Sequence, residues 1–204
     1  VILYLVRHGQ SEGNIVTYDV PDGRLTPLGR QQAEETARRL AEEGLDLLIS
    51  SPLRRALETA LATQARTGLP LEVWQRLWEY RDLEPAQFLG RRGVLELCPG
   101  ALCDDDLPQD GFECGWETPE TAFARARDMF DRIRRRFGAT DQKVAIFAHG
   151  TFNVFLLMAM MGRPWQPGLW IEQRNCCINR IHIDPQHVRI LGINDVAHLS
   201  TSTI

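Results

Sequence analysis

Ile2-Leu3-Tyr4-Leu5-Val6 runs without a break into Arg7-His8-Gly9-Gln10-Ser11-Glu12-Gly13-Asn14. An apolar run of this length, closed by polar residues and glycine, reads as a strand buried on both faces. It ends directly on an arginine and a histidine. The tip of a buried strand is a rigid support, and in open parallel sheets ligands bind at the carboxyl ends of strands. A guanidinium beside an imidazole suits a phosphoryl group, because the arginine fork holds its oxygens while the imidazole attacks phosphorus. The same pair also fits a histidine satisfied by backbone with Arg7 paired to a surface carboxylate. One pair decides nothing.

Further along, the pattern repeats. Leu45–Ser50 reads as a second buried strand, followed by Ser51-Pro52-Leu53-Arg54-Arg55 and a helix to about Gly68. Lys143–Ala148 reads as a third, ending in His149-Gly150, and Thr151–Met161 is apolar nearly all round, hence a buried helix. Between them, Thr26 and Pro27 open a helix as N-cap and first residue, with Leu28, Ala33, Ala37 and Leu40 on one face and Gly44 at its end. Pro119–Phe137 carries apolar residues at helical steps, with Arg132, Arg134, Arg135 and Arg136 mostly on a solvated face. Leu71–Trp78 is a further short strand, and two more lie near Cys177–Ile183 and Val188–Ile193. Strands alternating with helices predict an α/β fold, a three-layer sandwich with a mostly parallel central sheet and helices on both faces. From Glu79 to Thr118 no clean period appears. A stretch this long without structure reads as a small lid insertion, about residues 80–118, on a single domain spanning 1–204.

Bulk composition narrows the partners. The chain has 204 residues, 44% hydrophobic and 25% charged, which is ordinary for a globular protein able to bury a full core. A net charge of −4 argues against general binding to nucleic acid or anionic membranes, so an anionic substrate needs a local arginine cluster. No segment is apolar enough to span a membrane, and the opening residues read as a core strand rather than a signal sequence. Five cysteines point to free thiols in a reducing, cytoplasmic setting. Cys98, Cys103, Cys114 and Asp104–Asp106 lack the spacing of a zinc site. Cys176 and Cys177 read as strand neighbours, one thiol in the core and one at the surface. The five tryptophans read mainly as core. A homodimer is compatible with these features, and none of them calls for one.

Three strand ends, Arg7-His8, the Ser51–Arg55 turn and His149, thus carry groups suited to phosphate, the third at a helix start that favours an anion. The set Arg7–Asn14, Leu25–Ala33, Ser50–Ala60 and Ala148–Gly150 resembles the motifs of the histidine phosphatase superfamily, which includes cofactor-dependent phosphoglycerate mutases and many phosphatases; Asn194–Leu199 resembles its usual ending. The resemblance implies His8 as nucleophile, with Arg7, Arg55 and His149 holding the phosphoryl oxygens. It also implies phosphate contacts from Asn14 and Gly150, and Glu79, in Leu77-Trp78-Glu79, as proton donor. The family's downstream Gly-x-x-Glu-Gly is absent, which leaves Glu84 as a competitor. Arg54 holds the variable place. Trp116-Glu117-Thr118 stands where the family carries Gly-Glu-Ser, with Arg125 at the expected offset; Glu117 and Arg125 read as structural.

The implied activity is hydrolysis of small phosphomonoesters through a phosphohistidine, of the histidine acid phosphatase type, without metal or cofactor. Phosphoryl transfer needs mainly positioning and charge stabilisation, which two arginines and a second histidine supply. Glu79 would protonate the leaving alkoxide, and an acid that keeps its proton needs an apolar shelter such as Trp78 beneath a lid. Two alternatives are a mutase on the same site, which must keep its phosphoenzyme from water, and a non-catalytic module that binds phospho-ligands.

Overall fold

The computed structural model describes residues 1–200. Its centre is β1 (Ile2–Arg7), whose side chains alternate between two cores. Leu3 and Leu5 face one way, and Tyr4 and Val6 the other. β1 lies parallel to β7 (Lys143–Ala148), which lies parallel to β2 (Leu47–Ser50), and that in turn to β3 (Leu71–Val73). On the other side of β1 runs β8 (Ile178–Ile183), antiparallel to it, and beyond that β9 (Val188–Asp195), antiparallel to β8. The sheet is therefore mostly parallel, as the alternation of strands and helices predicts.

Helices cover both faces. On the Leu3/Leu5 side pack α4 (Pro119–Phe137) through Ala126, Met129, Ile133 and Phe137, and α5 (Gly150–Met160) through Phe152, Phe155 and Leu156. On the Tyr4/Val6 side pack α1 (Pro27–Ala41) through Leu40 and α2 (Arg54–Thr67) through Leu57 and Ala60. Each apolar side chain of this size contributes roughly 1.5–3 kcal/mol when fully buried. The helix ends obey local rules. Thr26 accepts from Gly29 N at 3.0 Å, Thr118 and Thr121 bond reciprocally at the start of α4, and Gly68 ends α2 at φ 68°, where glycine alone is unstrained. All of α5 except Thr151 is buried.

Between β3 and α4 the structure corrects the sequence reading. Only Leu71–Val73 of the expected strand to Trp78 is extended; a 3-10 turn over Gln75–Leu77 follows. The stretch expected to lack structure contains β4 (Ala86–Phe88) paired with β6 (Phe112–Cys114), and the helix α3 (Arg91–Leu97). Its β5 (Leu102–Cys103) joins the central sheet as the outer neighbour of β3. Strands of two or three residues are too short for any periodicity to show. The helix-face arginines also differ from expectation. Arg132 makes two bonds to Asp104, at 2.7 and 2.6 Å, and Arg136 two to Glu72, both 2.6 Å, so these two grip the sheet edge.

Neither Cys176 nor Cys177 is at the surface: both thiols are buried and pushed up to about 12 by burial. Cys176 has φ 57° and precedes β8, so the expected strand alternation does not apply. All five cysteines are unpaired. Among the tryptophans Trp74 is fully buried, whereas Trp116 and Trp170 are exposed. No helix among the described residues is long and apolar enough to cross a membrane.

Candidate active site

Strand register brings the motifs together. Arg7 lies beside Ala148, and Ser50 beside Phe147, so β1, β7 and β2 end side by side and deliver His8, His149 and Ser51 to one rim. The first motif is pressed against the start of α1: a Cβ on Gly29 would lie 1.9 Å from Gln10 O, so only glycine fits there. Thr59 of α2 accepts from Gly9 N at 3.1 Å, which fastens the loop after His8 to the helix that carries Arg55.

The two imidazoles meet, with ring centroids 5.3 Å apart and planes at 58°. His8 is 2% exposed. Its Nδ1 lies 2.7 Å from Gly9 O and so carries the hydrogen, which leaves the Nε2 lone pair to accept from Arg55 Nε at 3.2 Å. Burial holds His8 well below the ordinary histidine value, reinforced by Arg55 and then Arg7. His149 is fully buried and is lowered in the same way, by burial first and then Arg55. Both rings are therefore neutral near pH 7.

Ser51 lies against the ring of His149. Its hydroxyl oxygen accepts from Leu53 N at 3.2 Å and lies 2.8 Å from His149 Nε2. When the hydroxyl donates to that nitrogen, the ring hydrogen of His149 sits on Nδ1, the tautomer that offers a donor to a phosphoryl oxygen. His149 Nδ1 and Arg7 Nε are buried nitrogens without a protein partner. Arg7 Nη1 is fixed by Gln173 O at 2.5 Å and Arg55 Nη1 by Pro21 O at 2.9 Å, so both guanidiniums are pre-set. Gly150 lets Arg7 approach: a Cβ there would lie 3.2 Å from Arg7 Nε. Gly150 also opens α5, and a helix start favours an anion.

Glu79 reaches the same helix start. Its carboxylate accepts from Phe152 N at 2.8 Å, Thr151 N at 3.2 Å and Tyr80 N at 2.9 Å. Glu84 is exposed, and its backbone carbonyl accepts from Arg81 at 2.9 Å. The geometry thus joins Glu79, and not Glu84, to the histidine pair. Asn14 is exposed, and its Oδ1 accepts from Ser11 N at 2.9 Å and from Asn175 Nδ2 at 3.2 Å, which leaves its own amide N–H groups outward. Arg54 is partly exposed and serves through its backbone N–H, donated to Asp22 at 2.7 Å.

Residues 3–196 match the sequence profile of the histidine phosphatase superfamily, branch 1. The chain belongs to this superfamily. A glucosyl-3-phosphoglycerate phosphatase of Mycolicibacterium vanbaalenii is 32% identical over 170 residues, covering 79% of this chain and 75% of that protein. Phosphoserine phosphatase 1 of Hydrogenobacter thermophilus is 27% identical over 214 residues, covering 98% and 94%. Among solved structures, a mycobacterial glucosyl-3-phosphoglycerate phosphatase in complex with VO3 superposes with a TM-score of 0.69 at 26% identity, covering 95% of this chain and 98% of that one.

Two residues that touch the histidines had no individual role in the sequence reading. Ser51 sits inside a quoted motif, but its hydrogen bond to His149 depends on how β2 and β7 align. Asn175, which donates to His8 O at 3.0 Å, lies in a stretch with no motif.

Proposed function

We propose that this chain is a phosphatase that hydrolyses small phosphomonoesters through a phosphohistidine on His8. The observation that carries the reading is the buried His8 ring, whose Nε2 lone pair meets Arg55 Nε at 3.2 Å and whose centroid lies 5.3 Å from that of His149, on a rim where Arg7 Nε and His149 Nδ1 have no protein partner. A phosphoryl group at this rim would accept from the two guanidiniums, from His149 Nδ1–H, from the Gly150 end of α5 and from the Asn14 amide. Such fixed donors stabilise charge without reorganising during reaction.

In the first step the Nε2 lone pair forms the P–N bond as the P–O bond to the leaving group breaks. The alkoxide takes the carboxyl proton of Glu79. In the second step water attacks phosphorus, gives its proton to the Glu79 carboxylate, and the P–N electron pair returns to Nε2. The products are the alcohol and inorganic phosphate. All the charge stabilisation comes from N–H donors, so no step calls on a metal. Histidines that stay neutral below their ordinary range favour the acid-phosphatase type of pH response. Unpaired thiols fit a cytoplasmic setting. The β4–β6 strand pair and α3 would form the lid that selects the leaving group. The names of the relatives direct the substrate search to phosphorylated hydroxy acids, their glycosides and phosphoserine.

The test is hydrolysis of p-nitrophenyl phosphate and a panel of such esters without any bisphosphate activator, with rapid alkaline quenching and intact-mass detection of a phosphoryl adduct. Hydrolysis with an adduct that disappears in His8→Asn is the expected result. Turnover that persists in His8→Asn would refute the covalent scheme, and turnover that requires a bisphosphate would make the chain a mutase.

A further inference from the structure

Arg125 is charged, 4% exposed and sits in the middle of α4. Burying a guanidinium costs several kcal/mol before its partners repay it, and a well-packed apolar residue often serves stability better. What Arg125 gains is a set of contacts converging on one neighbour. Nε and Nη2 grip the Glu117 carboxylate at 2.8 and 2.7 Å, while Nη1 donates to Arg76 O at 3.0 Å and Trp78 O at 2.8 Å. The guanidinium lies between two rings, 4.4 Å from the centroid of Trp78 and 4.2 Å from that of Phe152. Trp78 is the residue before Glu79. Phe152 is the residue whose N–H binds the Glu79 carboxylate. Arg125 therefore grips the chain entering Glu79 and the helix turn that receives its side chain, and binds the two into one block.

We propose that Arg125 is a positioning residue for Glu79, holding the carboxyl where it meets the leaving-group oxygen. This rests on Glu79 being the proton donor. Glu117 is its lever arm, fixing the roll of the fork so that Nη1 reaches both carbonyls. Lysine offers one compact ammonium without a planar fork, so it cannot hold two carbonyls and a carboxylate while stacked between two rings.

A residue that merely stabilises the fold lowers activity toward all esters alike. A residue that aims a general acid matters in proportion to how badly the leaving group needs a proton. Nitrophenolate leaves with little help, whereas an alkoxide does not. The experiment compares kcat for p-nitrophenyl phosphate and glycerol phosphate in the full chain and in Glu79→Gln, Arg125→Lys, Glu117→Gln and the Arg125→Lys/Glu79→Gln pair, normalised to folded protein by circular dichroism.

For Glu79→Gln the expected loss is about 10²–10³-fold on the alkyl ester and a few-fold on the aryl ester. For Arg125→Lys it is roughly tenfold on the alkyl ester and under about threefold on the aryl one, with no further alkyl loss when added to Glu79→Gln. Equal losses on both esters, or a full additional loss in the pair, would overturn the positioning role. Unimpaired glycerol phosphate hydrolysis in Glu79→Gln would instead remove Glu79 as the acid, a separate failure. Should Arg125→Lys not fold, Glu117→Gln decides: an alkyl-selective loss supports the proposal and a uniform one overturns it.

Discussion

Replacing Ser51 by alanine tests the reading of the site at its least obvious point. The hydroxyl accepts from Leu53 N at 3.2 Å and shares a hydrogen bond of 2.8 Å with His149 Nε2, with both side chains fully buried. Two buried hydrogen bonds of about 1 kcal/mol each give a destabilisation of about 2 kcal/mol. For a chain of this size that is a fall in Tm of roughly 4–8 °C. The functional loss is of another kind. Without the hydroxyl, His149 is no longer held as the Nδ1–H tautomer, and part of the population turns an acceptor nitrogen toward the phosphoryl oxygens. Removing one fixed donor to developing charge costs about 10²–10³-fold, and partial loss of orientation about tenfold to a hundredfold. The assay is kcat for p-nitrophenyl phosphate at a temperature where the variant is fully folded, beside ¹⁵N spectra of the imidazoles. The expected result is a fall in kcat of at least about tenfold, with KM changed little and a new His149 tautomer signal. A variant that keeps kcat within about twofold, or an unchanged tautomer, would refute the assignment.

Gly150→Ala should separate stability from activity. A Cβ 3.2 Å from Arg7 Nε pushes the guanidinium by a few tenths of an ångström, while alanine suits a helix start better than glycine. The expected result is an unchanged or higher Tm with kcat/KM lowered by about tenfold; an unaltered kcat/KM would show that Arg7 is not in the site. Stability should also fall with acidity. His8 and His149 are depressed well below 6.5, so between that value and their folded pKa values the unfolded chain takes up protons that the folded chain refuses. Stability is complete above pH 6.5 and declines below it, by up to about 1.4 kcal/mol per histidine for each unit of acidity. Urea midpoints at pH 7.5 and 5.5 should differ in that direction, and the difference should shrink in His8→Ala; equal midpoints would contradict neutral buried rings.

The long elements were readable from sequence because their signals are redundant. β1 combines an unbroken apolar run with a polar stop, and α4 begins at Thr118-Pro119 and ends on Phe137, as its caps and period require. That His8, Ser51 and His149 share one rim was readable for a related reason: each directly follows a buried strand, so placing the strand places the side chain. Legibility failed where tertiary contacts decide. β5 is two residues long and becomes a strand only because β3 is beside it. Arg125 reads as a structural residue at a family offset from Glu117, and only the carbonyls of Arg76 and Trp78 that face it tie it to the segment before Glu79. Trp116 reads as core, yet it occupies a left-handed position, φ 50°, and its ring points into solvent.

The first turn of α5 serves two masters. It follows directly on His149, whose imidazole lies beside that of His8, and its Thr151 and Phe152 amides seat the carboxylate of Glu79. A slide or tilt of this one rod, walled in by apolar neighbours on nearly every side, would displace the imidazole and the carboxylate together. The two cannot drift out of step, so tuning one independently of the other requires changes on the segments facing the rod and not within it.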